Sequence, residues 1–152
     1  MISATDIKEL REKTGISFAQ CKKALEEACG DQVKALESLK AQGEAIAIKK
    51  SGREVKAGVV SAYVHATGTL GAMVELNCET DFVAKNPEFV TLARDIAMHV
   101  TASAPADTAE LLVQPFIKDV ALTIDALVKS YVQKFGENIA VSRFVRFSVL
   151  GQ

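Results

Sequence analysis

The sequence has no tryptophan, only three prolines and no surplus of either charge. Eighteen Lys and Arg residues are balanced by nineteen Asp and Glu residues, which gives a formal net charge of −1. A chain with this balance has no general attraction to nucleic acid or to an anionic membrane. We therefore expect no membrane binding and no direct nucleic-acid binding, and any partner must be recognised through a local surface.

Cysteine is also scarce, and the three cysteines, Cys21, Cys29 and Cys78, show no CxxC spacing. An odd number of scattered cysteines predicts neither a disulfide framework nor a zinc site, and it is typical of a reducing compartment. The N-terminus lacks a basic segment followed by an apolar run, and no apolar stretch approaches the roughly 18 residues of a membrane span. These absences predict a cytoplasmic protein.

Nucleotide-binding motifs are missing as well. No GxxxxGK[ST] or GxGxxG sequence follows a predicted strand, so we expect no nucleotide cofactor held by this chain. A basic cluster, formed by Lys49, Lys50, Arg53 and Lys56, has no interleaved aromatic residues. Contact with phosphates is one interpretation of this cluster. We favour the other, a solvated linker, because the chain has no surplus positive charge.

Three short helix patterns occupy the first 43 residues. Their expected N-caps are Ser3, Ser17 and Asp31, and their expected ends are Gly15, Gly30 and Gly43. Their apolar positions are Ile7 and Leu10, then Phe18, Cys21, Leu25 and Ala28, then Val33, Leu36 and Leu39. Helices this short do not persist alone. We therefore expect a three-helix module, with a domain boundary near Gly52 that separates residues 1–52 from residues 53–152.

The rest of the chain alternates between strand and helix patterns. We expect strands at residues 59–66, 72–78 and 139–149, the last broken at Arg143, and helices at 87–100 and 124–135. Residues 101–108 read as a loop and residues 111–117 as a short extended piece. This order predicts an α+β fold, in which three antiparallel strands are covered by helices on one face.

The most informative segment is ELNCETDFVAK at residues 75–85, because an apolar strand runs there into an acidic and aromatic end. Asn86 and Pro87, a helix N-cap followed by proline at the first helical position, come directly after it. Phe82 has two open interpretations. It either folds back into the core or stands exposed as a wedge for a partner.

An enzyme is the competing interpretation of the same residues. A hydrolase would use Cys78 with His65 or His99 and with Asp81 or Glu79. However, Cys78 alternates in step with the core positions of its strand, and His99 has no matched partner in the sequence. We therefore expect no catalytic residues, no metal site and no covalent chemistry.

Three segments resemble the translation elongation factor Ts family of bacteria. The first reads LREKTG at residues 10–15 and CKKAL at residues 21–25, the second is ELNCETDFVAK, and the third reads FGENI at residues 135–139. The resemblance implies a guanine-nucleotide exchange factor that promotes GDP release from elongation factor Tu, in its GDP-bound and nucleotide-free forms. It also implies a ubiquitin-associated-like helical module followed by a dimerisation-type core.

The resemblance further implies which residues bind the partner. In the family, the strand end enters the partner's nucleotide-binding domain near the magnesium site, which gives this role to Thr80, Asp81, Phe82 and Val83. The N-terminal module contacts the same domain, and its matching residues are Arg11, Thr14, Gly15, Lys22 and Lys23. A factor that binds or chaperones the same partner without nucleotide exchange is the alternative.

The sequence also departs from the family pattern. Residues 16–20 read ISFAQ, so the acidic contact that is usual at position 20 is absent. Only one core repeat is present, and the stretch between Val100 and Leu111 is short, which indicates a missing helical insertion. Members with a single core pair with each other, and we therefore expect a homodimer that supplies the second core.

Overall fold

The computed structural model describes residues 1–151. Three helices come first: α1 (Ala4–Thr14), α2 (Phe18–Glu27) and α3 (Gln32–Lys50). The second part contains β1 (Ala57–Val64), β2 (Leu70–Cys78), α4 (Asp81–Ala84), α5 (Pro87–Ser103), α6 (Thr108–Val113), β3 (Pro115–Phe116), β4 (Asp119–Thr123), α7 (Ile124–Phe135) and β5 (Ala140–Ser148). Ser3, Ser17 and Asp31 cap the first three helices as predicted, each accepting a backbone N–H of the first turn.

The prediction that the third helix ends at Gly43 is wrong, because α3 continues through this residue to Lys50. Gly43 is buried where α3 crosses α7, and a Cβ there would collide with the amide end of Gln133. A glycine inside a helix costs about 1 kcal/mol relative to alanine. The close approach of a second helix accounts for its presence here, since any larger side chain would have to displace Gln133.

The three N-terminal helices enclose a first hydrophobic core, here called the small cluster. It consists of Ile7, Leu10, Ile16, Cys21, Ala24, Leu25, Ala35 and Leu39. The expectation that Phe18 and Val33 belong to this core is wrong, because Phe18 is 46% exposed and Val33 is 66% exposed. Both belong to the first turn of their helix, and helical side chains lean toward the helix N-terminus, so these two side chains extend toward solvent.

An antiparallel sheet in the order β1-β2-β5 forms the centre of the second part, which confirms the predicted α+β class. Helix α5 packs on its inner face and buries the apolar side of the helix, which includes Phe89, Leu92, Ala93, Ile96 and Val100. The resulting core, here called the large cluster, includes Ala47 of α3. Its other members are Ala72, Val74, Leu76, Cys78, Val83, Ala84, Phe89, Leu92, Ala93, Ile96, Ala97, Val100, Leu111, Phe116, Ile124, Val128, Val132 and Ile139.

The segment between α5 and α7 differs from the expected loop and extended piece. Asp107 accepts the N–H of Glu110 at 2.8 Å and starts α6, so residues 111–113 are helical rather than extended. A small hairpin, β3–β4, then leads directly into α7. The aspartate cap and the burial of Leu111 and Phe116 explain the difference, because they fold this short segment onto the large cluster.

The break expected at Arg143 is a β-bulge one residue earlier. Glu75 pairs with Arg143, whereas the next residue, Leu76, pairs with Val141, so Ser142 is the extra residue of β5. The bulge reverses the alternation of the strand. Val145 and Phe147 therefore lie on the outer face of the sheet, where they are 43% and 70% exposed.

Within residues 1–151, none of the helices combines the length and apolar character that crossing a membrane requires. The same residues contain no group of three or more His, Cys, Asp or Glu side chains arranged to hold a metal ion.

Candidate partner-binding surface

Residues 80–83, here called the tip, connect β2 to α5. Thr80 leaves the strand in extended conformation and caps the single turn of α4, and its hydroxyl accepts the N–H of Val83 at 3.4 Å. Asp81 is exposed, and Phe82 is 86% exposed. Phe82 therefore does not fill the core, and of its two open interpretations the structure retains the exposed one.

Val83 is the member of the tip that points inward. Its side chain is 5% exposed and, with that of Ala84, belongs to the large cluster. The alternation follows from helical geometry, because successive residues of a turn point about 100° apart. Val83 and Ala84 thus anchor the turn from which Asp81 and Phe82 extend.

Cys78, the last residue of β2, faces the core as predicted and is fully buried. Its thiol donates to the carbonyl oxygen of Thr80 at 3.2 Å. Burial, together with the negative charge of Glu137, raises the pKa of the Cys78 thiol above its usual value. A thiol that resists ionisation is a poor nucleophile, which favours the interpretation of Cys78 as a core residue.

Glu137, which follows α7, reaches the base of the tip from the far end of the sequence. One carboxylate oxygen accepts the backbone N–H groups of Glu79 at 3.1 Å and Thr80 at 3.0 Å. The other accepts the hydroxyl of Thr80 at 2.7 Å. Glu137 was not predicted to have a separate role, because a contact across 57 residues leaves no local pattern in the sequence. Its position in FGENI was the available signal.

In the N-terminal module, Thr14 and Gly15 shape the end of α1. The Thr14 hydroxyl donates to the Leu10 carbonyl at 2.8 Å and accepts the N–H of Ile16 at 3.3 Å. Gly15 has φ of 69° and donates to the carbonyl of Arg11 at 2.7 Å. A left-handed C-cap of this kind favours glycine, so these residues have a structural task in their own chain.

Charged side chains cover the surface around this turn. Arg11, Lys22 and Lys23 are exposed, and the two lysines lie 3.8 Å from Glu26 and 3.9 Å from Glu27. Solvent-exposed pairs of this type contribute at most about 0.5 kcal/mol, so they hold the two lysines only weakly. Phe18, which was expected in the core, precedes Lys22 by one helical turn and is exposed on the same helix.

The two groups of candidate residues are connected through α7. Gly15 lies against Lys134, whose Nζ would be 3.1 Å from a Cβ at Gly15. Lys134 also pairs with Glu88 at 2.6 Å, in the first turn of the helix that follows the tip. The structure therefore brings Thr80, Asp81 and Phe82 together in one segment, and it links Gly15 of the N-terminal module to the first turn of α5 through Lys134.

The basic cluster is largely engaged by its own chain. Lys50 donates to the carbonyl of Gly136 at 2.8 Å, Arg53 pairs with Glu79 at 3.6 Å, and Lys56 pairs with Glu54 at 3.5 Å. The interpretation as a linker is correct for Arg53 and Lys56, which lie between α3 and β1, and wrong for Lys49 and Lys50, which belong to the last turn of α3.

The histidines do not form a catalytic pair with Cys78. His99 is fully buried, and the expectation that it lacks a partner is wrong. Its Nδ1 accepts the N–H of Ile117 at 3.2 Å, and its Nε2 lies 2.9 Å from Oε1 of Gln114. Burial lowers the pKa of His99, which favours the neutral ring. His65 is exposed beside Tyr63.

Comparisons with known proteins agree with these features. A family model described as Elongation factor TS matches residues 79–152, which include the tip and Glu137. Elongation factor Ts of Carboxydothermus hydrogenoformans is 41% identical over 194 residues, covering 98% of this chain and 89% of the relative. Elongation factor Ts of Thermodesulfovibrio yellowstonii is 42% identical over 192 residues, covering 97% of this chain and 96% of the relative.

These alignments are longer than the chain itself, 194 positions against 152 residues, so the relatives contain residues that have no counterpart here. This difference agrees with the expected loss of a segment. The identities nevertheless extend over nearly the whole chain, from the N-terminal helices to β5. The chain therefore belongs to the elongation factor Ts family.

Proposed function

We propose that this chain is a guanine-nucleotide exchange factor that promotes release of GDP from elongation factor Tu during translation elongation. The observation that carries the proposal is Phe82, an aromatic side chain 86% exposed on an anchored turn. Isolated exposed phenylalanines are unfavourable in water, and burial of one in a partner contributes about 1.5–3 kcal/mol. Family membership supplies the identity of the partner.

The proposed mechanism follows from linkage. A factor that binds the nucleotide-free partner more tightly than the GDP-bound partner must weaken GDP binding by the same ratio. Acceleration by a factor of a thousand requires about 4 kcal/mol, at about 1.4 kcal/mol per tenfold change. Burial of Phe82 alone is insufficient, so other contacts must contribute. We assign these to Asp81, near the partner's magnesium site, and to the N-terminal module.

Within this proposal the candidate residues have different tasks. Asp81 and Phe82 enter the partner, while Thr80 and Val83 hold the turn that presents them. Arg11, Lys22 and Lys23 contact the same partner domain from the N-terminal module, whose surface turn is shaped by Thr14 and Gly15. No step requires a covalent bond to form, and we propose that the protein acts in the cytoplasm without a cofactor.

We also propose that the chain forms a homodimer through the outer face of its sheet. Val60, Met73, Val145 and Phe147 are 43–70% exposed on this face, next to the ion pair of Glu75 with Arg143 at 3.1 Å. Two sheets pack face to face at about 10 Å when such side chains interlock. Sedimentation should give twice the chain mass, and Phe147→Glu should give the chain mass. A wild-type monomer at all concentrations would contradict this arrangement.

The exchange proposal is tested by the release of a fluorescent GDP analogue from purified elongation factor Tu. The wild-type chain should accelerate release, and Phe82→Ala should lose most of the acceleration because the buried aromatic contact disappears. Val120→Ala is the matched control, since Val120 is 78% exposed on β4, in the hairpin that β4 forms with β3. It should retain the wild-type rate.

Two results would count against exchange. A wild-type chain that forms a stable complex without changing GDP release would indicate the alternative, a binding or chaperone module. Equal losses for Phe82→Ala and Val120→Ala would show that the tip has no special role.

A further inference from the structure

The contact between Glu137 and the base of the tip is stronger than ordinary surface contacts. A single carboxylate accepts two N–H groups and one hydroxyl, at 2.7–3.1 Å. Hydrogen bonds to a charged acceptor are shorter and roughly twice as strong as neutral ones. The accepted groups belong to Glu79 and Thr80, the residues at which the chain leaves β2. The contact therefore defines the direction in which the tip leaves the sheet.

The Thr80 hydroxyl links this contact to the rest of the tip. Thr80 donates its hydroxyl hydrogen to Glu137 and accepts the N–H of Val83 with the oxygen. The carboxylate thus orients the hydroxyl as the acceptor that caps α4. Without Glu137, the hydroxyl would be free to rotate and the turn that carries Phe82 would lose its fixed start.

The turn that contains Glu137 also holds the linker after α3. Asn138 donates to the carbonyl of Arg53 at 2.8 Å, and Lys50 donates to the carbonyl of Gly136. Arg53 in turn pairs with Glu79 beside the tip. Contacts therefore join the linker to the turn, the turn to the strand end, and the strand end to the linker. Each of these segments restricts the movement of the other two.

We propose that Glu137 is a positioning residue for exchange, which holds the tip ready to bind without itself entering the partner. The inference rests on the proposed function, since a tip needs a fixed orientation only if it binds. If the tip had its binding orientation for only one tenth of the time, binding to the partner would be about tenfold weaker. The reason is that the apparent affinity is proportional to the fraction of molecules in the binding-competent conformation. The maximal rate at saturation would remain, since the bound tip is the same.

The test measures GDP release against the concentration of the chain. Glu137→Ala should raise the concentration for half-maximal acceleration about tenfold and leave the plateau unchanged, whereas Phe82→Ala should lower the plateau. Glu137→Gln should give an intermediate shift, because its amide oxygen still accepts both N–H groups. Glu54→Ala, which removes an exposed carboxylate of the linker, is the control and should match the wild type.

A second measurement needs no partner. Hydrogen exchange of the Glu79 and Thr80 amides should become faster in Glu137→Ala, while the amides of α5 keep their protection. Unchanged exchange at Glu79 and Thr80 would overturn the inference. Loss of protection throughout α5 would also overturn it, since Glu137 would then support the whole fold rather than the tip.

The inference and the proposed function fail in different ways. If the wild-type chain does not accelerate release, the proposed function fails, and the amide measurement still tests the contact. If the wild type is active and Glu137→Ala has the same half-maximal concentration, positioning by Glu137 is excluded. If Glu137→Gln is as impaired in release as Glu137→Ala while its Glu79 and Thr80 amides exchange as slowly as in the wild type, the charge contacts the partner directly and the positioning role is wrong.

Discussion

The small and large clusters differ in the number of residues that form them and in how much of the chain contributes these residues. Eight residues form the small cluster, all from the first 39 residues, whereas the nineteen of the large cluster come from α3, the sheet, the tip and the helices around them. A small module with so few buried side chains is marginal alone. Because Ala47 of α3 packs into the large cluster, we expect the N-terminal module to depend on the rest of the chain more than the rest of the chain depends on it.

The division into residues 1–52 and 53–152 is therefore proposed as a division into a dependent and an independent module. The two surfaces proposed to bind the partner show the same contrast. Phe82 extends from a turn anchored in the large cluster, whereas Phe18, Lys22 and Lys23 lie on a helix of the small cluster.

The largest effect is expected from Phe89→Ala. Phe89 is fully buried in the large cluster, and truncation of such a side chain costs about 3–5 kcal/mol. Because α3 packs on this part of the chain, amide protection should fall in the sheet and in α1–α3 together. Hydrogen exchange followed by segment measures this, and preserved protection of α1–α3 would show that the N-terminal module is stable by itself.

Leu25→Ala is the counterpart in the small cluster and should cost about 2–5 kcal/mol locally. It should remove protection from α1 and α2 while the sheet keeps its own. A parallel loss in the sheet would make the dependence mutual, and the two-module description would then be wrong.

The smallest effect is expected from acid. His99 is buried in α5, and the Nδ1 of its neutral ring accepts an N–H, so protonation would remove that acceptor. Since burial holds the pKa of His99 below the usual value of about 6.5, the unfolded chain binds the proton first. The free energy of unfolding should therefore decrease as pH falls below about 6.5, by up to about 1.4 kcal/mol per unit of pKa difference.

Urea unfolding at pH 7.5 and 5.5 measures this effect. His99→Gln should remove most of the decrease, whereas His65→Gln, which changes the exposed histidine, should keep it. Both histidines lie outside the small cluster, so protection of α1 and α2 should respond less to acid than protection of α5. An equal response of both regions would contradict this expectation.

Local signals in the sequence predicted much of the fold. Helix caps such as Ser3, Asp31 and Asn86 were identified correctly because a cap and its partner are two or three residues apart. The path of α3 through Gly43 was not predictable, since the reason for that glycine is Gln133, ninety positions later. The local sequence favours a helix end at Gly43, whereas the packing of α3 against α7 explains the glycine inside a continuous helix.

The candidate site shows the same division. The strand and the aromatic residue at its end were readable from residues 75–85, but whether Phe82 faces inward or outward depends on where Val83 and Ala84 pack. The role of Glu137 was hidden for a related reason. Its three acceptor contacts join residues that only the folded sheet brings together.

The crossing at Gly43 has a consequence for how α3 can change its length. An α-helix rises about 1.5 Å and turns about 100° with each residue. One residue inserted between Leu39 and Gly43 would therefore swing the N-terminal module by more than a quarter of a circle about the axis of α3. The contact between Gly15 and Lys134 would then be lost. The number of residues in α3 thus sets the angle between the exposed surface of α2 and the tip, the two surfaces proposed to bind one partner.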